Sequence, residues 1–278
     1  MLINFLTLII DKSIFQLPPY RLFNLFLNPL VSITLISYFI RKKEGISLMK
    51  SILISLTFGL TLLVGSRISY VLVANNYFRD FGVNPFILEP RGLTMFGGFI
   101  FTFPMVWFIS RLMRIDLWRM LDLITPGWSL GIVFNKTGCL LNGCCYGLPT
   151  YSNYGVSYPV GTAPYDNFYN DLVNLVGENG DLAYSLTLHP VQIYEALIGL
   201  IGFLISLYLF KKKARDGVVF SAFAMVYSLA RFILNFLRAT PYPMLKAQGF
   251  IIFAYLAVFI VTLLIFLYRM KIIKLKSL

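Results

Sequence analysis

The sequence predicts an all-α membrane protein with about seven transmembrane helices and a small extracytoplasmic cap, forming a single polytopic domain over residues 1–278. Three observations predict it. The chain is 58% hydrophobic and only 13% charged, with a mean hydropathy of +0.75. A soluble domain needs about a quarter of its residues charged to cover its surface, so lipid must cover this one. Apolar runs of spanning length recur along the whole chain, which leaves no room for a separate soluble domain. The basic residues gather at alternate ends of those runs, as the positive-inside rule requires.

A span needs roughly 20 apolar residues. The candidates are residues 21–40, 51–73, 92–109, 121–134, 190–210, 218–237 and 249–268. The fourth is short and carries Asp122, Pro126 and Trp128. Parity tests the count. With the N-terminus outside, the first span ends at Arg41, Lys42 and Lys43, and the third at Arg111 and Arg114. The fifth then ends at Lys211–Arg215 and the seventh at Arg269–Lys276, so all four clusters and the C-terminus lie in the cytoplasm. One span more or fewer in the middle would move a cluster to the wrong side. Residues 1–10 are apolar but too short to span, and no signal-peptide cleavage site follows them, so they read as an interfacial helix.

The outer face receives residues 75–91, a long segment over 148–188, and 239–248. The long segment lies between the fourth and fifth spans. It is rich in Tyr, Asn, Asp and Gly, and its aromatics give a cap something to pack. The net charge of +12 follows from span flanks and does not imply nucleic acid. No internal repeat suggests a transporter, and the polar residues gather at one end instead of lining a path.

An ionisable residue at membrane depth is expensive and marks a functional site by default. Arg67, Asp122, Lys136, Glu195, Arg231 and Arg238 qualify. Those near helix ends can snorkel to the interface, which is the simpler reading for Arg238. A polar cavity lined by several of these residues would be cationic, and Arg and Lys supply the charge-assisted hydrogen bonds that phosphate needs. With lipid access, that suggests a phospholipid headgroup. The competing reading is internal ion pairing of Glu195 or Asp122 with an arginine.

Two segments stand out. Gly138-Cys-Leu-Leu-Asn-Gly-Cys-Cys-Tyr-Gly147 holds three glycines and all three cysteines. Glycine permits close backbone approach and unusual dihedrals. The clustering argues against a disulfide framework. The spacing lacks a Cys-x-x-Cys pair, so no metal site is expected, and a nucleophilic role would need a base such as Lys136. Small apolar residues packing against glycine is the simpler reading. The second segment, His189-Pro-Val-Gln-Ile-Tyr-Glu195, opens the fifth span. His189, Gln192 and Glu195 are three apart and share a helix face, with Tyr194 beside it. A polar stripe on a spanning helix faces protein or water, although a lone histidine is more often structural.

These residues carry a resemblance. From about Gly65 to Gln248 the chain resembles the prolipoprotein diacylglyceryl transferase family of seven-helix bacterial enzymes. The matching motifs are Gly65-Ser-Arg-Ile-Ser-Tyr70, Leu93-Thr-Met-Phe-Gly-Gly98, Asp122-Leu-Ile-Thr-Pro126, Gly138 to Gly147, His189 to Glu195, and Arg231 to Arg238 with Gln248 after it. Where the family usually has histidine, arginine, asparagine, glutamate and glutamate, this chain has Phe96, Lys136, Cys139, Cys144 and Asn235.

The resemblance implies a bacterial cytoplasmic (inner) membrane location. It implies transfer of a diacylglyceryl group from phosphatidylglycerol to the thiol of a prolipoprotein lipobox cysteine, with a thioether formed, glycerol phosphate released and no cofactor. The attacking cysteine belongs to the substrate. Within that resemblance Lys136 and Arg231 are expected to clamp phosphate, and His189 to accept or orient a proton. Gly97, Gly98, Asn142, Gly143, Gly147, Gln192, Tyr194, Glu195 and Arg238 are expected to shape the substrate pocket. The alternatives are a phospholipid-binding or interaction protein on the same scaffold, and a transferase with a different acceptor.

Overall fold

The computed structural model describes residues 23–80, 94–177, 180, 182–240 and 247–275 of the 278. The expected interfacial helix over 1–10, the first residues of the first and third expected spans, and parts of the 75–91 and 239–248 connections lie outside the described residues.

Among the described residues, seven long helices coincide with the seven expected stretches. A π-helical turn, Phe23–Leu27, leads into α1 (Asn28–Glu44). There follow α2 (Leu48–Val73), the short α3 (Asn75–Asp80), α4 (Met95–Met113) and α5 (Leu117–Leu141). Two short helices, α6 (Ala163–Asn167) and α7 (Tyr169–Val176), precede α8 (Val191–Lys211), α9 (Val218–Leu234) and α10 (Gln248–Leu275). Apart from isolated antiparallel bridges, the regular structure of the described residues is helical.

Among the described residues, four segments are long and apolar enough to cross a membrane: α2, α4, α8 and Gln248–Met270 of α10. At 26 residues α2 is about 39 Å long, against a hydrocarbon core of about 30 Å. Large apolar side chains such as Leu60, Phe103, Leu204 and Phe253 are exposed on these four helices, as lipid contact requires. The other three long helices fall short for physical reasons. α1 is 17 residues long and ends in Arg41, Lys42, Lys43 and Glu44, and α9 is an apolar helix of 17 residues. α5 carries charge along its length.

That charge is satisfied inside the protein, which is why α5 runs well past the short stretch 121–134 that hydropathy marks. Asp116 caps its start, its carboxylate accepting from the Trp118 and Arg119 amides at 2.9 and 3.3 Å. Asp122 is buried and accepts from the amides of Gly217 and Phe220 at 2.8 and 2.7 Å. It therefore caps the first turn of α9, where amide donors and the helix dipole favour a carboxylate. At its other end α5 takes in Gly138 and Cys139 of the glycine- and cysteine-rich segment, with the Asn142 amide still bonded to the Gly138 carbonyl at 2.9 Å.

The long helices alternate in direction. Arg119 at the start of α5 pairs with Glu44 at the end of α1 (2.8 Å) and with Asp216 between α8 and α9 (3.2 Å). Arg269 near the end of α10 lies over Trp118. The cationic helix ends of α1, α4, α8 and α10 thus share one end of the bundle with the start of α5. Small residues let neighbours approach closely, as they do between helices that lipid cannot drive together. A Cβ at Gly97 would collide with Ser69, and one at Gly98 with Ser66 and Leu62, where α4 crosses α2. Gly199 and Gly202 do the same for α8 against α5 and α9. Ser37 and Ser55 join α1 to α2 through a buried 2.9 Å hydroxyl contact.

The segment between α5 and α8 forms a small cap-like unit with a buried core. Val156, Tyr158, Phe168 and Leu188 form its buried core with Ala239, at the end of the bundle opposite the cationic one. Tyr158 is 1% exposed, and burial pushes its phenol above the ordinary tyrosine range.

Replacing Asp122 with alanine should strip two charge-assisted hydrogen bonds from the α9 N-terminus. We expect a loss of about 1–3 kcal/mol for Asp122→Ala and a smaller loss for Asp122→Asn, read by thermal unfolding in detergent.

Candidate functional site

A single carboxylate organises the end of the bundle below the cap. Glu195 lies in the second turn of α8 and is 0% exposed. Three cations converge on it. The Arg231 Nη1 is 2.7 Å from its Oε1, and the Arg238 Nη1 is 3.2 Å from the same oxygen. The Lys136 Nζ is 2.9 Å from Oε2, at ion-pair distance but out of hydrogen-bond alignment. Lys136 comes from the last turns of α5, Arg231 from the last turn of α9, and Arg238 from just beyond it. Among the described residues one carboxylate stands against three cations, which leaves two positive charges in excess.

Two of the cations are held from behind. Arg231 is 7% exposed, and its guanidinium lies 5.1 Å from the ring centre of Tyr255 on α10. Its Nη2 donates weakly to the Asn235 Oδ1 at 3.5 Å, one helical turn on. Phe96, at the start of α4, meets the same Tyr255 ring edge-on at 5.6 Å. Arg238 is positioned by backbone: the Ala239 amide bonds to the Tyr146 carbonyl, and the Leu148 amide to that of Leu237. The Gly147 amide bonds in turn to the His189 carbonyl. A side chain at Gly147 would meet the His189 and Leu237 carbonyls at 2.5 and 2.9 Å. The strand-like segment 146–148 therefore ties the end of α9 to the start of α8.

The glycine loop is anchored the same way. Gln192, fully buried on the same face of α8 as Glu195, donates from Nε2 to the Cys144 carbonyl at 2.7 Å and to the Tyr158 hydroxyl at 3.0 Å. Asn142 ends α5, and Gly143 turns the chain at φ +62°. Beside Arg238 an open cleft of about 340 Å³ lies between the cap and the start of α10, lined in part by Asn235, Phe236, Thr240, Gln248 and Ile252.

The structure thus brings Lys136, Gln192, Glu195, Arg231 and Arg238 together, with Asn142, Gly143 and Gly147 shaping the loop that holds them. Other expected residues lie apart. Gly97 and Gly98 serve the crossing of α2 and α4. His189 precedes α8, and its Nδ1 is buried with no hydrogen-bond partner among the described residues. Tyr194 is half-buried beside the cluster's face of α8. Arg67 lies over the Tyr70 and Phe78 rings. Sequence reasoning missed Tyr255 and Asn235 as partners of Arg231. The available signal was Tyr255 itself, a polar-tipped ring in an otherwise apolar run.

A comparison with known families matches residues 14–270 to the prolipoprotein diacylglyceryl transferase family. Among curated proteins, the chain is 32% identical over 179 residues to a phosphatidylglycerol–prolipoprotein diacylglyceryl transferase of Dehalococcoides mccartyi. That match covers 63% of this chain and 60% of the relative. It is 30% identical over 182 residues to the protein of that name from Clostridium tetani, covering 64% of each. The chain thus spans about three fifths of the length of these curated relatives.

Neutralising the shared anion should be costly. Glu195→Gln leaves three cations facing an amide, and breaking a buried ion pair typically costs about 3–5 kcal/mol. The check is thermal unfolding in detergent, with Lys136→Met added to Glu195→Gln expected to recover part of the loss.

Proposed function

The chain belongs to the prolipoprotein diacylglyceryl transferase family, and from that membership we propose that it moves a diacylglyceryl group from phosphatidylglycerol to the lipobox cysteine thiol of a prolipoprotein. The observation that carries this reading is the two-charge cationic excess around Glu195, beside an open cleft. In the reaction the thiol sulfur attacks the glyceryl carbon. The carbon–oxygen bond to phosphate breaks, and glycerol phosphate leaves with the electron pair while the thiol proton passes to a base. The phosphate goes from a diester with one negative charge to a monoester approaching two. Cations fixed at that spot favour the second state over the first, which is how an enzyme lowers a barrier.

Arg238 borders the cleft and is the first cation a headgroup would meet. Lys136 and Arg231 stand behind it and complete the clamp. Glu195 holds the three cations in place without neutralising them. His189 is the one histidine of the chain and is assigned the proton of the thiol, directly or through water. The seven long helices are read as seven spans, with the cationic helix ends in the cytoplasm. The C-terminus is then cytoplasmic and the N-terminus outside. The cap and the cluster face outward in a bacterial inner membrane, where a secreted substrate meets the outer leaflet.

The test is transfer by purified protein from phosphatidylglycerol vesicles to a lipobox peptide, read as the mass gain of the peptide and the release of glycerol phosphate. The parent should be active. Lys136→Ala and Arg231→Ala should each lower the rate by about 10²–10³-fold. Phosphatidylglycerol binding without glycerol phosphate release would replace this reading with a lipid-binding protein on the same scaffold.

A further inference from the structure

All three cysteines of the chain meet at one point. Cys139 lies in the last turn of α5, and Cys144 and Cys145 follow in the glycine loop. The loop doubles back through two left-handed residues, Gly143 at φ +62° and Cys145 at φ +60°, and the Cys144 amide bonds to the Cys139 carbonyl at 3.0 Å. A non-glycine residue in that conformation is held there by its surroundings. The result is three Sγ atoms within 4.8 Å of one another. None is in a disulfide; Cys139 is buried and the other two are half-buried, so the group is reachable.

Sequence spacing argued against a metal because it lacks a Cys-x-x-Cys pair. Folding supplies what the spacing does not, by carrying the helix end and the loop back to one point. We propose that Cys139, Cys144 and Cys145 form a binding site for a thiophilic dication of the Zn²⁺ or Cd²⁺ class. With metal–sulfur bonds of about 2.3 Å, three sulfurs around one ion lie roughly 4 Å apart, a small rotation from where they stand. The fourth position stays open to water, the pattern of an open three-ligand site.

The surroundings fit three thiolates. The Asn142 Nδ2 donates to the Cys144 Sγ at 3.6 Å, as a supporting residue does for a metal ligand. Lys136 and Arg238 bring positive charge to the same corner of the bundle, and a nearby cation favours a metal-binding thiolate. Three thiols release three protons to solvent as the dication binds, so the filled site carries one net negative charge. That charge sits beside the two surplus positive charges around Glu195, which stabilise it. Histidine plays no part in the group.

The full chain, reduced and purified in detergent, should bind one Cd²⁺. Binding is read by the thiolate-to-cadmium charge-transfer band in the near ultraviolet and by protection of all three thiols from alkylation. Every thiol of the protein lies in the site, so neither readout has a background. Cys144→Ser and Cys145→Ser should each abolish saturable binding. A parent chain with no band, with binding that does not saturate at one ion, or with thiols alkylated equally fast in Cd²⁺ would overturn the site. So would persistence of the saturable band in the Cys144→Ser/Cys145→Ser double variant. The decisive readouts are made on the parent chain, so a variant that fails to fold leaves the test standing.

Discussion

One buried carboxylate fixes how three helices meet. Glu195 is wholly excluded from solvent, and a charge in that position persists only if it is paired and well bonded. Its partners come from the ends of α5 and α9, so neither helix can slide along α8 without leaving a charge alone in a poorly polarisable medium. Apolar packing could not impose this register by itself, because lipid is as apolar as the helix faces. Gly199 and Gly202 make the constraint attainable by letting α8 come close to α5 and α9. At the other end Asp122 and Arg119 fasten the same elements through the α9 N-terminus and Asp216.

The cap depends on that register and also reinforces it. Gln192 lies one turn before Glu195 on the same face of α8, and it bonds both the glycine loop and Tyr158 of the cap core. The 146–148 segment then crosses from the start of α8 to the end of α9 through backbone hydrogen bonds. Arg238 leaves a helix that has already ended, where a side chain would otherwise be poorly placed. The crossing segment is what brings it to 3.2 Å from Glu195. Gly147 is required there because two carbonyls occupy the space of a side chain.

Much of this was legible in the sequence, for definite reasons. Hydropathy and the basic clusters located all seven long helices, since lipid exposure and flanking charge are properties of composition. The expense of burying charge singled out Lys136, Glu195, Arg231 and Arg238 before their distances were known. The extent of α5 was not legible: its charges are satisfied by residues far along the chain, and a hydropathy window sees only the charges. The roles of Gly97 and Gly98 were hidden for a similar reason, because a helix-crossing glycine and a ligand-facing glycine look alike in sequence. The thiol cluster required the loop's two left-handed residues, one of which, Cys145, no sequence rule would place there.

The charge balance at Glu195 bears on why the cluster is not neutral. A fifth residue carrying a second carboxylate would satisfy the cations more fully and make a sturdier bundle. At position 235, one turn after Arg231, where the resembling family usually has glutamate, this chain instead has Asn235, which accepts a weak hydrogen bond and adds no charge. Phe96 likewise brings only an aromatic edge to Tyr255. Asn235 leaves the positive surplus in place where a glutamate would reduce it. Like charges held this close repel, and at an effective dielectric of about 20 the repulsion between two cations 4 Å apart is about 4 kcal/mol. A bundle selected for stability alone would remove that repulsion. A bundle that must hold a phosphate as it gains its second negative charge has reason to keep it, because the repulsion is relieved most fully when that charge arrives.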